Sequence, residues 1–187
     1  GSSNEPVDDI KNYLTIREYA VWQRKWLTSL DAEISKEYWK DKLLSLEPGV
    51  ALTAIAGAGN QYQGERLYFT LPKKLSERVT QFAQNNDISD YSILMTAYSI
   101  LLHAFFNKDQ IAISSAYSNR DHNAFSQTYG FMVNPVLFIA HMDYQKSALE
   151  LIKATQQQVL ELQENKRIPF GQVLAMLEPD DAATMRN

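Results

Sequence analysis

Residues 90–106 form a helical segment whose apolar side chains point in nearly every direction. Ser89 precedes it as a predicted N-cap, and a polar turn at 107–109 ends it. Its apolar residues are Ile93, Leu94, Ala97, Tyr98, Ile100, Leu101, Leu102 and Phe105. A helix that is apolar around most of its circumference is normally covered by other elements. The segment therefore predicts a larger layered body with this helix buried inside it.

Other segments share the three- and four-residue apolar spacing of helices. Thr15 and Glu18 form a T-x-x-E capping box before a helix predicted over residues 16–29. The remaining helices are predicted over 32–46 after Asp31 as cap, from Pro72 to a stop at 85–87, over 148–165 after Ser147, and from Pro169. The predicted inward residues are Leu75, Val79, Phe82 and Ala83 after Pro72, and Leu149, Ile152, Val159 and Leu160 in 148–165.

Three segments have the patterns of β-strands. Residues 65–71 alternate apolar and polar side chains, which is typical of a half-buried strand. Residues 110–117 are predicted as an interior strand and residues 131–140 as another strand, although Pro135 must place the second strand at an edge or at a bulge. The order of elements predicts an α/β fold, a mixed β-sheet with helices packed on it.

Composition excludes several classes of function. The chain has 187 residues, a formal charge of −4 and no basic run, so nucleic acid binding is not expected. No apolar stretch approaches the ~20 residues that span a bilayer, and membrane association is not expected. The absence of cysteine excludes disulfides and thiolate chemistry, and it fits the cytoplasmic location that we expect.

Candidate catalytic groups are few. His103 lies in the buried helical segment and is interpreted as a structural residue, and His141 ends a strand. His122 follows Asp121 in a polar loop, which makes it the one weak candidate for a base. There is no nucleophile elbow and no H-E-x-x-H zinc motif, so neither a serine triad nor a metal site is predicted.

Several short motifs occur in an order that resembles a known family. Residues 19–23 (Y-A-V-W-Q) are similar to a Y-A-x-W-Q element, and 118–120 (S-N-R) to A-N-R. Residues 129–134 (Y-G-F-M-V-N) resemble G-x-F-V-N-T, and 168–173 resemble a P-F-x-x-V motif. Together they resemble the condensation domains of nonribosomal peptide synthetases, and specifically the C-terminal lobe.

The resemblance implies a chloramphenicol-acetyltransferase-like fold with two lobes around a channel. In that family, carrier proteins bring thioesters on 4′-phosphopantetheine arms, and an acceptor amine attacks the donor thioester to form an amide. The family's catalytic motif, H-H-x-x-x-D-G on the N-terminal lobe, is absent from this sequence. We therefore expect no catalytic residue, no directly bound cofactor and no activity from this chain by itself.

The resemblance also implies a division of the chain. Residues 1–30 are interpreted as an N-terminal segment with an aromatic-faced helix, in which Gly1–Ser3 resembles a cloning remnant. Residues 31–187 are interpreted as the C-terminal lobe of the domain, truncated at its end.

Particular residues take expected roles from the resemblance. Asn134 and Met132 are expected to line the substrate channel, although bracing a bulge beside Pro135 is an equally good role for Asn134. Arg120 is expected to act structurally, through a salt bridge or by binding carbonyl oxygens. Trp22 is expected at the lobe interface or in the core.

The expected partners are the N-terminal lobe, peptidyl or acyl carrier proteins and adjacent synthetase domains. Two alternatives stay open. One is a non-catalytic module that docks a carrier protein or serves as a scaffold. The other is a stand-alone acyltransferase that uses His122.

Overall fold

The computed structural model describes residues 14–46, 68–120 and 122–177. Its helices and strands, in chain order, are α1 Ile16–Trp26, α2 Leu30–Leu44, α3 Lys73–Asn86, α4 Asp90–Phe106, β1 Gln110–Ser118, β2 Val133–His141, α5 Ala148–Asn165 and α6 Phe170–Leu174. A short 3₁₀ turn, Asn123–Phe125, lies between the two strands. The architecture is α/β, as predicted, with helices packed on a small sheet.

Strands β1 and β2 pair antiparallel in an unbroken register from Gln110 opposite His141 to Ser118 opposite Val133. At the outer edge of β2, the side-chain amide of Gln158 binds both backbone groups of Ile139: Ile139 N donates to Oε1 at 2.9 Å, and Nε2 donates to Ile139 O at 3.1 Å. Residues that point to the outer edge alternate along a strand, so Pro135 also faces outward there.

The position of Pro135 settles one of the alternatives left by the sequence. Pro135 pairs with Ala116 within the continuous register. Because its missing N–H lies at the outer edge, no ladder hydrogen bond is lost. The edge interpretation is therefore correct, and the bulge interpretation is wrong.

The main core lies between the sheet and helices α2, α5 and α6. Its most deeply buried large side chains are Trp39, Leu162, Ile168, Val136 and Val173. The indole N–H of Trp39 donates to Asn165 O at 3.0 Å, so the largest core residue also satisfies its polar group.

Helix α4 is oriented against the expectation from its hydropathy. Its buried residues are Ser92, Thr96 and Ser99. Thr96 Oγ1 donates to Thr155 Oγ1 at 2.8 Å, and Ser92 Oγ donates to Gln156 Oε1 at 2.9 Å. Small polar side chains allow α4 and α5 to approach closely and bond to each other. Within the described residues, the prediction that this helix is buried all round is therefore wrong.

The apolar stripe of α4 faces outward instead. Leu94, Tyr98, Leu101 and Phe105 follow one another at four- and three-residue steps and are 48%, 47%, 62% and 70% exposed. We call these four residues the α4 stripe. Nothing in the described part of the chain covers it.

Helix starts follow the sequence signals closely, with one exception. Thr15 forms the predicted capping box with Glu18, and Ser89 and Ser147 cap α4 and α5 as predicted. Ser147 also forms a complete capping box, with Glu150. Helix α2 begins earlier than predicted, because Ser29 rather than Asp31 accepts the capping bond, from Ala32 N at 3.3 Å.

Other predictions about burial and strands are wrong. On α5, Leu160 is 45% exposed, whereas Leu162 is completely buried. On α3, only Ala83 is buried, and Leu75 and Phe82 are exposed. Residues 68–71 of the predicted first strand have no strand pairing and are exposed. Residues 65–67 and the predicted polar tail lie outside the described residues.

Two leucines on α5 test where the core lies. Leu162→Ala should lower the free energy of unfolding by about 2–5 kcal/mol, since it leaves a cavity in a fully buried site. Leu160→Ala, the matched control, should cost less than about 1 kcal/mol. Urea unfolding followed by circular dichroism measures both values. Equal losses of unfolding free energy in the two variants, or a larger loss in Leu160→Ala, would contradict the observation that Leu162 rather than Leu160 faces the core.

Candidate functional site

Asn134, in β2, uses its whole side-chain amide to hold the connection between α5 and α6. Its Nδ2 donates to Lys166 O and to Ile168 O, each at 2.7 Å. Its Oδ1 accepts from Phe170 N at 3.0 Å. The residue is 8% exposed, so these bonds form away from water. We call this arrangement the Asn134 clamp.

The clamp bears on both roles that the sequence suggested for Asn134. Bracing a bulge is wrong, because the strand is regular at this point. The channel-side role stays a prediction, and the two amide hydrogens and the carbonyl oxygen are already bonded to backbone groups. The Asn134 amide therefore has no free hydrogen for a ligand. Its role near a ligand would be to fix the backbone that the ligand contacts.

Arg120 fixes the segment that leads into β2. Its guanidinium donates to Thr128 O and, at 2.9 Å, to Gly130 O. Gly130 has φ +146°, and a Cβ at this position would lie 2.9 Å from the Ile16 side chain. The carbonyl-binding form of the expected structural role is thus the arrangement that Arg120 adopts, and the segment is held against the start of α1.

The same segment presents two aromatic rings to solvent. Tyr129 is 96% exposed and Phe131 is 83% exposed, on either side of the bound Gly130. The Asn119 N–H also donates to Met132 O at 3.0 Å, which fixes the far end of the segment. Large apolar side chains on a rigid backbone are suited to contact another surface. We call residues 129–131 the aromatic segment.

Met132 and Trp22 belong to a second, smaller core. Met132 is 4% exposed and packs with Tyr19 and Phe125, and Trp22 covers them. The Tyr19 and Phe125 rings meet edge to face with centroids 5.3 Å apart. This cluster docks α1 on the loop between the strands. The Met132 side chain points into this cluster. Its role in lining the channel stays a prediction.

The histidines do not form a catalytic group among the described residues. His122 is exposed; its Nδ1 accepts from Ala124 N at 3.3 Å, and its ring lies 5.7 Å from that of Trp22. Asp121, its proposed orienting partner, lies outside the described residues. The described part of the chain also contains no cluster of three potential metal ligands.

Burial raises the pKa of two tyrosine side chains and makes them unsuitable as bases. Desolvation raises the pKa of Tyr117 to about 12, with further contributions from Tyr91. Desolvation, reinforced by the charge of Glu161, also raises the pKa of Tyr38, whose hydroxyl has no hydrogen-bond partner. Both groups stay protonated at neutral pH. They therefore act as neutral packing residues rather than as bases.

Sequence reasoning missed the contacts that depend on distant pairs. The amide of Gln158 on Ile139 and the bond from Tyr144 to His103 join residues far apart in the chain. Glutamine and tyrosine carry no pattern that predicts such partners. Only the A-N-R and V-N motifs gave any signal for Arg120 and Asn134.

Comparison with known families and sequences places these features in context. A family model described as "Condensation domain" matches residues 3–186. The chain is 28% identical over 167 residues to N-(5-amino-5-carboxypentanoyl)-L-cysteinyl-D-valine synthase of Penicillium rubens, covering 88% of this chain and 4% of that protein. It is 26% identical to phosphinothricin tripeptide synthetase PhsB of Streptomyces viridochromogenes, covering 87% and 14% respectively.

Solved structures show the same fold at low identity. SgcC5 of Streptomyces globisporus superposes with a TM-score of 0.75 at 20% identity, over 92% of this chain and 39% of that one. VibH, described as a condensation enzyme of a nonribosomal peptide synthetase, gives 0.73 at 19%, over 89% and 39%. This chain thus spans a small part of its sequence relatives and well under half of these structures.

By their names, the two sequence relatives are a synthase and a tripeptide synthetase. Among residues 14–46, 68–120 and 122–177, none of the helices has the length and apolar character needed to cross a bilayer.

Replacing Asn134 with aspartate tests the clamp. In Asn134→Asp, a carboxylate oxygen faces the Lys166 and Ile168 carbonyls in place of the donating Nδ2. We expect a loss of at least about 2 kcal/mol in unfolding free energy at neutral pH. The protonated acid can donate to a carbonyl, so folding raises the pKa of the new carboxyl above about 3.9, and the loss should shrink as pH falls towards that value.

Asn123→Asp, in an exposed turn, serves as the control and should change stability little at any pH. Urea unfolding at several pH values measures both variants. Full stability of Asn134→Asp at neutral pH would contradict the clamp.

Proposed function

Because the chain belongs to the condensation-domain family, we propose that it forms the C-terminal lobe of a domain that makes amide bonds in a nonribosomal peptide synthetase. The observation that carries the proposal is the family match over residues 3–186. The parent domain would join an acyl or peptidyl thioester on one carrier protein to an aminoacyl group on another. The peptide synthetases among the sequence relatives support this reaction class.

The reaction needs a group that handles the proton of the attacking amine. In the family, that group belongs to the H-H-x-x-x-D-G motif, and this sequence contains neither adjacent histidines nor an aspartate followed by glycine. The described histidines offer no replacement, because His122 already accepts a backbone bond and sits beside a tryptophan. The chain alone is therefore proposed to be inactive.

We propose that this lobe contributes a rigid surface, and not a reactive group, to the domain. Arg120 and Gly130 hold the aromatic segment rigid, and the Asn134 clamp holds the α5–α6 connection beside it. A wall with a fixed backbone can orient a thioester arm without reacting with it. We assign the carrier-bound 4′-phosphopantetheine arm as the ligand of this wall, with Asn134 and Met132 behind its surface.

The N-terminal lobe is the proposed partner of the exposed apolar surface. The structural neighbours share this chain's fold over only 39% of their own length, so most of each neighbour lies outside the part compared. The α4 stripe and the aromatic segment are large apolar surfaces of the kind that a second layer covers. The adjacent parts of the parent domain are proposed to cover them.

A reconstitution assay tests the function. The purified chain is mixed with an acyl-loaded donor carrier and an aminoacyl-loaded acceptor carrier, and amide product is measured by mass spectrometry. We expect no product above the protein-free blank, because the sequence lacks the H-H-x-x-x-D-G motif that supplies the base in the family. Adding the H-H-x-x-x-D-G lobe from the same synthetase should restore product formation.

Two controls separate the rival functions. The same lobe with its second motif histidine replaced by alanine should give no product. Amide formation by this chain alone, abolished by His122→Ala, would establish the acyltransferase alternative. Failure to form amide with the intact second lobe would instead favour a module that only docks carriers.

Charge placed on the α4 stripe tests whether that surface is a contact face. Leu101→Glu should reduce self-association of the isolated chain and leave its unfolding free energy within about 0.5 kcal/mol, since Leu101 is 62% exposed. Lys153→Glu, on an exposed position of α5, is the control for charge alone. Light scattering over a concentration series reports association. A clear loss of stability in Leu101→Glu would contradict the exposure of the stripe.

A further inference from the structure

His103, in the last turn of α4, joins three parts of the chain. Its Nδ1 lies 2.6 Å from Lys108 O, in the turn after the helix. Its Nε2 lies 2.8 Å from Tyr144 Oη, in the connection between β2 and α5. Tyr144 Oη in turn lies 3.1 Å from Asp109 Oδ1. The three hydrogen bonds form a continuous chain from a carbonyl to a carboxyl.

Counting protons shows what this chain requires. A backbone carbonyl cannot donate, so Nδ1 must carry the hydrogen of the first bond. The phenol has one hydrogen, and it serves either Nε2 or Asp109. A neutral imidazole and a phenol therefore supply two hydrogens for three contacts. For all three contacts to be hydrogen bonds, a third proton has to reside on Nε2 or on Asp109.

The imidazole is the better site for that proton. An unperturbed histidine holds a proton up to about pH 6.5, whereas an aspartic acid loses it near 3.9. The Asp109 side chain is 58% exposed, and water favours its charged form. His103 also lies in the last turn of α4, where the helix dipole favours a cation. Both effects leave the proton on Nε2.

The surrounding charges are compatible with a cation at His103. Asp109 Oδ1 lies 3.7 Å from Nδ1. Lys146 lines the same cavity as His103 but is paired with Asp143 at 3.5 Å. The other cationic groups that line it are Lys108 and His141, and the lining side chains of α5 are uncharged.

The pKa of Tyr144 agrees with this direction of the last bond. Desolvation, followed by the hydrogen bond to Asp109, raises that pKa, and the phenol keeps its hydrogen. That hydrogen satisfies Asp109 when Nε2 donates to Oη. The arrangement then has three donors for three acceptors.

We propose that His103 carries a hydrogen on both ring nitrogens and acts as a clasp between the end of α4 and the β2–α5 connection. The clasp closes one side of a cavity of about 110 Å³ between α4, α5 and the sheet. The backbone bond from Met142 N to Asp109 O, at 2.7 Å, fastens the same junction.

Nuclear magnetic resonance of the histidine side-chain nitrogens tests the clasp in the intact chain. At neutral pH, both ring nitrogens of His103 should carry protons. Asp109→Ala removes the acceptor that takes the phenol hydrogen. In this variant Tyr144 should donate to Nε2, and His103 should become neutral with its hydrogen on Nδ1.

Asp143→Ala is the matched control, because it removes a neighbouring carboxylate that does not contact His103. It should leave both His103 nitrogens protonated. The proposal is overturned if His103 of the unmodified chain is neutral at neutral pH, if Asp109→Ala leaves its protonation unchanged, or if carboxyl carbon shifts place the proton on Asp109.

Discussion

The Asn134 clamp is the interaction on which the arrangement of the other elements depends. One buried amide binds two carbonyls of the α5–α6 connection and the first N–H of α6, and it does so from the start of β2. A buried amide is stable when every donor and acceptor has a partner, and costly when one is lost. The clamp therefore fixes where α6 and Ile168 enter the main core, and it keeps that end of β2 in place without a further strand.

The rest of the described structure leaves large apolar side chains exposed. Helix α4 attaches to α5 through small hydroxyl side chains and turns its apolar stripe outward. The guanidinium of Arg120 binds backbone carbonyls of the segment before β2, and the rings of Tyr129 and Phe131 in that segment stay exposed. These features are unfavourable for a self-sufficient domain and ordinary for one side of an interface. They agree with membership of a family whose solved members extend well beyond the matched region.

Local signals predicted local structure well, and the rest required tertiary knowledge. Thr15, Ser89 and Ser147 marked helix starts because a cap depends only on residues three positions away. The inward side of α4 could not be read from hydropathy, since Thr96 is buried by a hydroxyl partner on another helix. Motif resemblance identified the family, yet it could not show that the amide of Asn134 is occupied by backbone.

The central claim is that Asn134 fixes the α5–α6 connection and has a structural rather than a catalytic role. Hydrogen exchange at the Phe170 amide tests it most directly, because that N–H has Asn134 Oδ1 as its acceptor although it lies in the first turn of a short helix. First-turn amides normally exchange fast. The account predicts that Phe170 exchanges only with global unfolding, at the rate of core amides such as that of Leu162. Exchange at the rate of an unprotected helix end would contradict it.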